Sequence, residues 1–199
     1  MNIFVTGTDT DVGKTVVSSW LCMHTQASYW KPIQTGGNLD QVVITKFSPS
    51  TKIIPEVYIL KAPLSPFDAA KKEHVSIGEN ALTLTVDKTV IEGAGGALVP
   101  IKENFYMADL VKLYRAKAII VARSKLGVIN HALMTGEVLK NRGIDVLGIV
   151  INGLLEDNIK QTIEYFSRLK ILAVIPESNT LADTLRAMAV PSEISEVLR

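Results

Sequence analysis

Residues 1–15 read MNIFVTGTDTDVGKT, which joins a short apolar run to a polar turn and a Gly-Lys-Thr tripeptide. The apolar run at residues 3–5 predicts a buried strand, and apolar residues at helical spacing beyond Thr15 predict a helix over residues 14–26. A strand, a glycine-bracketed turn and a helix N-terminus form the phosphate-binding arrangement of P-loop nucleotide enzymes. We expect Lys14 to reach the outer phosphates and the Thr15 hydroxyl to ligate Mg²⁺.

The glycine spacing of this loop departs by one position from the usual pattern, in which a Gly is followed by four residues and then Gly-Lys-Ser/Thr. Thr8 stands at the first Gly position, and Gly7 lies one residue too early. The tripeptide alone is a weak indication, but its place between a strand and an amphipathic helix favours a phosphate loop over a simple glycine-rich turn. The residues expected to contact the nucleotide are Asp11, Val12, Gly13, Lys14, Thr15 and Val16.

The composition is that of an ordinary globular protein, with 199 residues of which 47% are hydrophobic and 21% charged. This length supports one well-buried α/β core, so we expect a single domain over residues 1–199. The net charge of +1 gives no electrostatic basis for binding nucleic acid or an anionic membrane. Cys22 is the only cysteine, and the chain opens with no signal-peptide pattern, so we expect a cytoplasmic protein without an internal disulfide.

Strand and helix patterns alternate along the chain, with glycines and prolines between them. Strands are predicted at residues 3–5, 29–30, 57–60, 88–92, 118–122, 146–151 and 171–175. Helices are predicted at 14–26, 40–44 with a cap at Asn38-Leu39-Asp40, 66–73, 77–85, 107–114, 128–141, 159–169, 181–188 and 192–198. Such alternation predicts an α/β fold with a mostly parallel sheet flanked by helices on both faces.

The candidate functional residues fall where predicted strands end. Because ligands gather at the carboxyl ends of parallel strands, the loops there should converge on one cleft. These loops begin at Gly7, Gln34, Glu92, Arg123, Asn152 and Pro176. Glu92 precedes Gly93-Ala94-Gly95-Gly96, a glycine run that lets backbone approach a ligand closely. In a P-loop protein this acid is placed to be a second Mg²⁺ ligand, and an exposed loop acid is the alternative.

Three further residues each allow two interpretations. Asp40 is either a metal ligand or a helix N-terminal residue favoured by the helix dipole. Lys31 is either a second cation that stabilises charge during phosphoryl transfer or an exposed loop lysine. Asn152, followed by Gly153, either forms a turn or offers its amide to the edge of an adenine base.

Four blocks of sequence resemble the dethiobiotin synthetase family of biotin biosynthesis. They are residues 5–15, 31–36, 92–96 and 125–135, and they occur in that family's order. The resemblance extends from residue 2 to about residue 180. Ser-Pro-Phe-Asp-Ala-Ala at residues 65–70 is also similar to a family block, with Phe67 in place of the usual His.

The resemblance implies an ATP- and Mg²⁺-dependent ligase that closes the ureido ring of dethiobiotin. One amine of 7,8-diaminononanoate would capture CO₂ as a carbamate, and ATP would phosphorylate that carbamate. The neighbouring amine would then attack the mixed anhydride and release phosphate, with ADP as the other product. A P-loop suits this reaction because the assisted step is γ-phosphoryl transfer.

Carried over residue by residue, the resemblance implies a role for each matched position. The Mg²⁺ ligands would be Thr15, Asp40 and Glu92. The cations that span phosphate and carbamate would be the catalytic residues Lys14 and Lys31. The residues that bind the carbamate and diamine would be Thr10 and Thr35. Further nucleotide contacts would come from Gly93, Ala94, Gly95, Asn152, Gly153, Pro176, Glu177 and Ser178.

The resemblance also implies a homodimer whose substrate lies across the subunit interface. The residues that would receive the substrate carboxylate from the partner subunit open a predicted helix, and they are Gly127, Val128, Ile129 and Asn130. This agrees with the general use of helix N-termini as anion sites. Tyr165 would contribute to the same carboxylate pocket.

Partner-controlled ATPase switches, which position chromosomes or division machinery on membranes, are a competing functional class with this fold. Their hallmark is an extra lysine four residues before the Gly of Gly-Lys-Thr, where this chain has Asp9. Residues 192–199 carry two glutamates and one arginine, unlike a basic amphipathic membrane helix. A kinase or amide-forming enzyme that acts on another acid is a second alternative, and residues 125–135 argue against it by resemblance.

Overall fold

The computed structural model of the chain describes residues 1–37 and 40–199. Its strands, β1 to β11 in chain order, are Ile3–Gly7, Ser28–Trp30, Ile33–Thr35, Ile53–Ile54, Tyr58–Leu60, Thr89–Gly96, Pro100–Lys102, Phe105–Tyr106, Lys117–Arg123, Val146–Asn152 and Ile171–Ile175. Its helices, α1 to α8, are Lys14–Thr25, Asp40–Phe47, Pro66–Lys72, Met107–Leu113, Val128–Asn141, Asp157–Ser167, Leu181–Ala187 and Ser192–Ser195. A 3₁₀ turn covers Glu79–Ala81.

The central sheet has β1 in its middle. Across the described residues, seven parallel strands follow the order β11-β10-β9-β1-β6-β2-β4. From β1 the chain first builds the β6 side of the sheet and later crosses to the β9 side. The carboxyl end of β1 is therefore the switch point at which doubly wound sheets bind ligands. Two small pairs, β3 with β5 and β7 with β8, stand apart from this sheet.

Apolar side chains on both faces of the sheet make two cores, as expected for parallel strands covered on both sides. On one face α1, α2, α7 and α8 pack through residues that include Val17, Trp20, Ile44, Leu185 and Ile194. On the other face α3 to α6 pack through residues that include Ala69, Leu110, Leu139 and Ile163. The N-terminal loop lies over the end of the sheet, between β1 and α1.

The register of β2 against β6 brings candidate site residues together. Tyr29 pairs with Val90 and Trp30 pairs with Ile91. Lys31 directly follows β2 and Glu92 is the next residue of β6, so the two lie side by side. Since side chains alternate between faces, Tyr29 and Glu92 share the face of Val90, which packs in the α1 core.

The predicted α/β architecture is confirmed. The predicted elements that the structure reproduces to within about two residues at each end are the strands at 3–5, 29–30, 57–60, 118–122, 146–151 and 171–175 and the helices at 14–26, 66–73, 107–114, 128–141, 159–169 and 181–188. The predicted helix at 40–44 extends to Phe47, and it begins at Asp40. Asn38 and Leu39, which were expected to cap it, lie outside the described residues.

Several local predictions are wrong. The helix predicted at 77–85 is only the 3₁₀ turn, because the β-branched residues that follow this turn favour extended backbone. The helix predicted at 192–198 ends at Ser195. The loop predicted to begin at Gln34 is partly strand, since β3 covers Ile33–Thr35. This strand forms because the Pro32 carbonyl accepts hydrogen bonds from the backbone of Val57 and Tyr58, and β3 then pairs with β5. Strands β4, β7 and β8 were not predicted.

Within residues 1–37 and 40–199, no helix is both long enough and apolar enough to cross a membrane.

Trp20 provides a test of how α7 is held against the sheet. Its ring is fully buried, and Nε1 donates to the Met188 carbonyl at 2.9 Å. We expect Trp20→Phe to lower the free energy of unfolding by about 1–3 kcal/mol, because that carbonyl loses its donor. Urea unfolding followed by circular dichroism measures the change. Val42→Ala, at a position 63% exposed on α2, is the control, and equal stability of the two variants would contradict this packing role.

Candidate functional site

The loop between β1 and α1 folds over the carboxyl end of the central strand. Its backbone is left-handed at Asp11 (φ 56°) and at Gly13 (φ 96°). Lys14, the first residue of α1, is buried, and its Nζ donates to the Asp9 carbonyl at 3.0 Å. The lysine side chain is thus held against the loop, beside the N-terminus of α1, where backbone N–H groups have no partner within the helix.

Gly7, one residue early in the motif, has a steric role. A Cβ on Gly7 would lie 2.6 Å from the Asp9 carbonyl oxygen and 2.9 Å from Val12 Cγ2. Atoms that are not bonded do not approach so closely, so any side chain here would push the loop away from β1. At the usual first Gly position, Thr8 instead donates its backbone N–H to the Val121 carbonyl at 2.9 Å. The shifted glycine therefore fits this loop's path.

Three oxygen-bearing side chains meet at the start of α1. Thr15 Oγ1 lies 2.9 Å from Asp40 Oδ1 and 2.9 Å from Glu92 Oε1. A hydroxyl has one proton, so Thr15 donates to one of these carboxylates at a time. The three residues come from α1, α2 and β6, and the fold brings together the side chains predicted from the sequence as metal ligands. We call Thr15, Asp40 and Glu92 the oxygen cluster.

Lys31 is the counter-ion of the oxygen cluster. Its Nζ donates to Asp40 Oδ2 and lies 3.7 Å from Glu92 Oε1. The side chains of Lys31 and Glu92 are only 8% and 1% exposed, so this is a buried ion pair and not a loop lysine in solvent. Burial alone would lower the pKa of Lys31, but attraction to Glu92 and Asp40 outweighs it and raises that pKa. Lys31 is therefore charged.

Lys14 is the second buried cation of the site. Burial lowers its pKa, while attraction to Glu92 opposes that change and repulsion from Lys31 reinforces it. The two lysines and the two carboxylates are thus electrostatically coupled. A group of two positive and two negative charges keeps the net charge of the buried site near zero.

Tyr29 also contacts the oxygen cluster, although its residue type and position in the sequence indicate only a strand. Its hydroxyl donates to Glu92 Oε2 at 3.1 Å, and the side chain is buried. Burial, followed by the negative charge of Glu92, raises the pKa of Tyr29 well above its usual value. Tyr29 is therefore a neutral phenol that can donate to the carboxylate.

The glycine run after Glu92 belongs to β6 and is not a loop. The strand continues to Gly96, so the expectation that Glu92 ends the strand is wrong. Gly96 pairs with Gly7, and a Cβ on Gly96 would lie 3.2 Å from the Gly7 carbonyl oxygen. A Cβ on Gly95 would lie 3.7 Å from Thr10 Oγ1. The run lets β6 lie close beneath the phosphate loop.

Asn152, predicted as an adenine contact, supports the loop from the end of β10, two strands away from β1. Its Nδ2 donates to the Val12 carbonyl at 3.2 Å. A Cβ on Gly13 would lie 2.1 Å from the same nitrogen. The Gly153 N–H donates to the Ile175 carbonyl at 2.8 Å, which joins this turn to the end of β11. Pro176 follows there, and with it the predicted adenine loop.

The rest of that predicted adenine loop lies at the surface. Glu177 is exposed and forms an ion pair of 3.6 Å with Arg123 at the end of β9. Ser178 is exposed and accepts a hydrogen bond from the Thr180 backbone. Both residues therefore lie just after the end of β11, where the sequence predicts the adenine loop.

Predicted substrate residues lie on several elements around the loop. Thr10 is exposed at the loop tip, and Thr35 is half-buried at the end of β3. Gly127 (φ 94°) precedes α5. Lys125, just before it, lies 3.8 Å from Asp9 of the phosphate loop. The start of α5 is therefore a neighbour of that loop within one chain.

Two depressions lie beside α5. One, of about 380 Å³, lies between the loop tip and α5 and is lined by residues that include Thr10, Gly96, Leu98 and Met134. The other, of about 710 Å³, lies at the N-terminus of α5 and includes Gly127, Val128, Ile129 and Asn130. Tyr165 is 62% exposed on α6, where its ring contacts Phe166 and Arg168.

Comparison with known proteins identifies the family. The family model described as AAA domain matches residues 1–184. An ATP-dependent dethiobiotin synthetase of Paramagnetospirillum magneticum is 45% identical over 195 residues, which cover 96% of this chain and 95% of the relative. The enzyme of that name from Lawsonia intracellularis is 41% identical over 201 residues, 99% of this chain and 98% of the relative.

The chain belongs to the dethiobiotin synthetase family. It is an ATP-dependent enzyme, and the resemblance inferred from the sequence blocks is confirmed. The family assignment is therefore consistent with a phosphate loop at the switch point of the sheet.

Solved structures with the same fold include cell-division ATPases. MinD of Pyrococcus furiosus has a TM-score of 0.61 at 15% identity, with 99% of this chain and 94% of that chain covered. MinD of Pyrococcus horikoshii, solved with Mg-ADP, has a TM-score of 0.57 at 16% identity, with coverage of 99% and 92%. At this identity the likeness shows the fold alone, and it agrees with the predicted α/β architecture with a mostly parallel sheet.

Gly7→Ala tests the steric role of the early glycine. We expect ATP affinity to fall about tenfold or more, because a displaced loop loses donors to charged phosphates that are each worth about 1.5–3 kcal/mol. Isothermal titration calorimetry with ATP measures the effect. Gly37→Ala is the matched control, since a Cβ at that position meets nothing within 4 Å. Equal ATP affinities for both variants would contradict the proposed fit.

Proposed function

We propose that the chain forms dethiobiotin from 7,8-diaminononanoate, CO₂ and ATP, and releases ADP and phosphate. One amine adds to CO₂ and loses a proton, giving a carbamate. A carbamate oxygen then takes the γ-phosphoryl group as its bond to the ADP oxygen breaks. The second amine attacks the carbonyl carbon and loses a proton, and the carbon–oxygen bond to phosphate breaks as the ring closes.

The oxygen cluster fits a Mg²⁺ ion that accompanies the nucleotide. Mg²⁺ is usually held by one or two carboxylates together with phosphates and water. The cluster supplies two carboxylates and a hydroxyl, and elsewhere in the described residues no group of three His, Cys, Asp or Glu side chains converges on a metal site. Thr15, Asp40 and Glu92 would hold the ion. When bound, Mg²⁺ neutralises phosphate charge during transfer.

The observation that carries this proposal is the buried pairing of Lys31 with Asp40 and Glu92. It fixes a charged ammonium group next to the proposed metal ligands, 3.7 Å from Glu92 Oε1. Phosphoryl transfer to a carbamate places several negative oxygens together, and preorganised cations stabilise that charge. We assign Lys31 to the carbamate and the transferred phosphoryl group, with Lys14 on the outer phosphates.

The substrate is proposed to lie between two subunits. Its amines and carbamate would bind Thr10 and Thr35, and its carboxylate would bind the partner's copy of the α5 N-terminus. Gly127 leaves that helix end without a side-chain hydrogen-bonded cap among the described residues, which suits an anion. Leu126 is fully exposed beside it, as expected of a residue that a second subunit covers. Tyr165 is proposed for the same pocket.

The adenine base is proposed to bind between the ends of β10 and β11. Asn152 and Gly153 lie on one side of this position. Pro176, Glu177 and Ser178 lie on the other. The hydrogen bond between Gly153 and Ile175 supports the proposal, because it holds the two strand ends together.

The decisive measurement is the dependence of ADP formation on the diamine. With ATP, Mg²⁺ and bicarbonate, we expect ADP to accumulate only when 7,8-diaminononanoate is present, because the carbamate is the phosphoryl acceptor. A coupled ADP assay and mass detection of the cyclic urea measure both products. An analogue without either amine is the control, since it can form no carbamate and should give neither ADP nor the cyclic urea.

The outcome also separates the two functional classes. Equal ADP formation with and without the diamine would overturn the synthetase proposal and favour an ATPase switch. ADP formation with another acid but not with the diamine would favour a different ligase or kinase.

Lys31→Ala tests the assigned cation. We expect kcat to fall by about 10²–10³-fold, the usual effect of removing one preorganised charge-stabilising donor. ATP affinity should change little, because Lys14 and the loop remain. Steady-state kinetics and ATP titration separate the two quantities. Lys46→Ala, an exposed lysine on α2, is the control, and normal turnover of Lys31→Ala would remove Lys31 from the mechanism.

A further inference from the structure

Glu92 uses its two carboxylate oxygens differently. Oε1 faces Thr15 at 2.9 Å and Lys31 at 3.7 Å. Oε2 accepts from the Tyr29 hydroxyl at 3.1 Å. Tyr29 thus contacts the carboxylate oxygen that does not face Thr15, so we expect its effect on the metal to pass through Glu92.

The backbone leaves Tyr29 little freedom to make another contact. Tyr29 pairs with Val90, two residues before Glu92 on the adjacent strand, and both residues pack in the α1 core. The ring is 1% exposed, and Glu92 is also 1% exposed. A buried ring between strand and helix cannot change rotamer without displacing its neighbours.

We infer that Tyr29 is a positioning residue, which orients Glu92 so that Oε1 is presented to Mg²⁺. This inference rests on the proposed function, because it takes Glu92 as a metal ligand. A carboxylate turns about its last side-chain bond, and that torsion is broad. The hydrogen bond to Oε2 fixes this side-chain torsion. It also satisfies an anionic oxygen that is buried away from water.

Residues that hydrogen-bond to a metal ligand commonly influence how tightly the metal binds. Groups that hydrogen-bond to a ligating side chain hold it in position, and their loss usually weakens metal binding by about 10–100-fold. The phenylalanine analogue of Tyr29 keeps the ring that fills the core and removes only the donor. Tyr29→Phe therefore isolates the hydrogen bond from the packing.

The experiment measures binding of Mn²⁺, as a spectroscopic substitute for Mg²⁺, to the full chain saturated with ADP. Electron paramagnetic resonance reports free Mn²⁺ directly and does not need turnover. We expect the dissociation constant of Mn²⁺ to rise about 10–100-fold in Tyr29→Phe. ADP affinity without metal should stay unchanged. In steady-state assays, the Mg²⁺ concentration for half-maximal rate should rise, and excess Mg²⁺ should restore most of kcat.

Tyr114→Phe is the matched control. Tyr114 is also buried, at 7% exposed, but its hydroxyl has no hydrogen-bond partner among the described residues. It packs against Phe4 and Trp30 in the opposite core. This variant should keep the Mn²⁺ affinity of the unmodified chain, so a change in both variants would indicate a general packing effect and overturn the inference.

Glu92→Gln distinguishes failure of this inference from failure of the proposed metal site. If Glu92→Gln loses Mn²⁺ and Tyr29→Phe binds it normally, Glu92 is a ligand and Tyr29 does not position it. If neither variant changes Mn²⁺ affinity, the metal site itself is wrongly assigned. Weakened binding in both, with Tyr114→Phe unaffected, supports the positioning role.

Discussion

The ion pair of Lys31 with Asp40 and Glu92 is the interaction on which the rest of the site depends. A carboxylate as buried as Glu92 is destabilising unless it is paired and hydrogen-bonded, and here it contacts Lys31, Thr15 and Tyr29. Tyr29 lies on β2, Lys31 directly follows that strand, and Thr15 lies on α1. The pairing of β2 with β6 and the packing of α1 above them must therefore both be correct before the charges can be satisfied.

The phosphate loop depends in turn on the absence of side chains beneath it. Gly7 and Gly96 face each other at the ends of β1 and β6, and side chains at either position would meet loop backbone. The loop can therefore lie directly on the sheet. This close approach brings Lys14 and Thr15 to the depth at which Glu92 is buried. The ends of β1 and β6 therefore have to leave room for the loop and also place it close to the buried charge of Glu92.

Much of this arrangement was predictable from the sequence because it is local or periodic. Apolar runs identify the core strands, and the strand, Gly-Lys-Thr and helix succession identifies the loop. The β7–β8 hairpin is local, but it was missed because its strands have only three and two residues and carry little pattern. A further failure is non-local: β3 forms because Pro32 offers its carbonyl to a distant segment. Tyr29 was missed for the same reason, since only the β2–β6 register turns a strand tyrosine toward Glu92.

The fold alone does not separate a synthetase from an ATPase switch, since MinD shares it at 15% identity. The family assignment makes the separation, and the side chains of the site agree with it. A switch would carry a lysine at the position of Asp9, whereas here the Asp9 carbonyl accepts from Lys14 and its carboxylate lies 3.8 Å from Lys125. Lys31 directly follows β2 and is buried beside the oxygen cluster, within the same chain. Because contacts within this chain hold Lys31 in place, the proposed phosphoryl transfer needs no second protein to supply this cation.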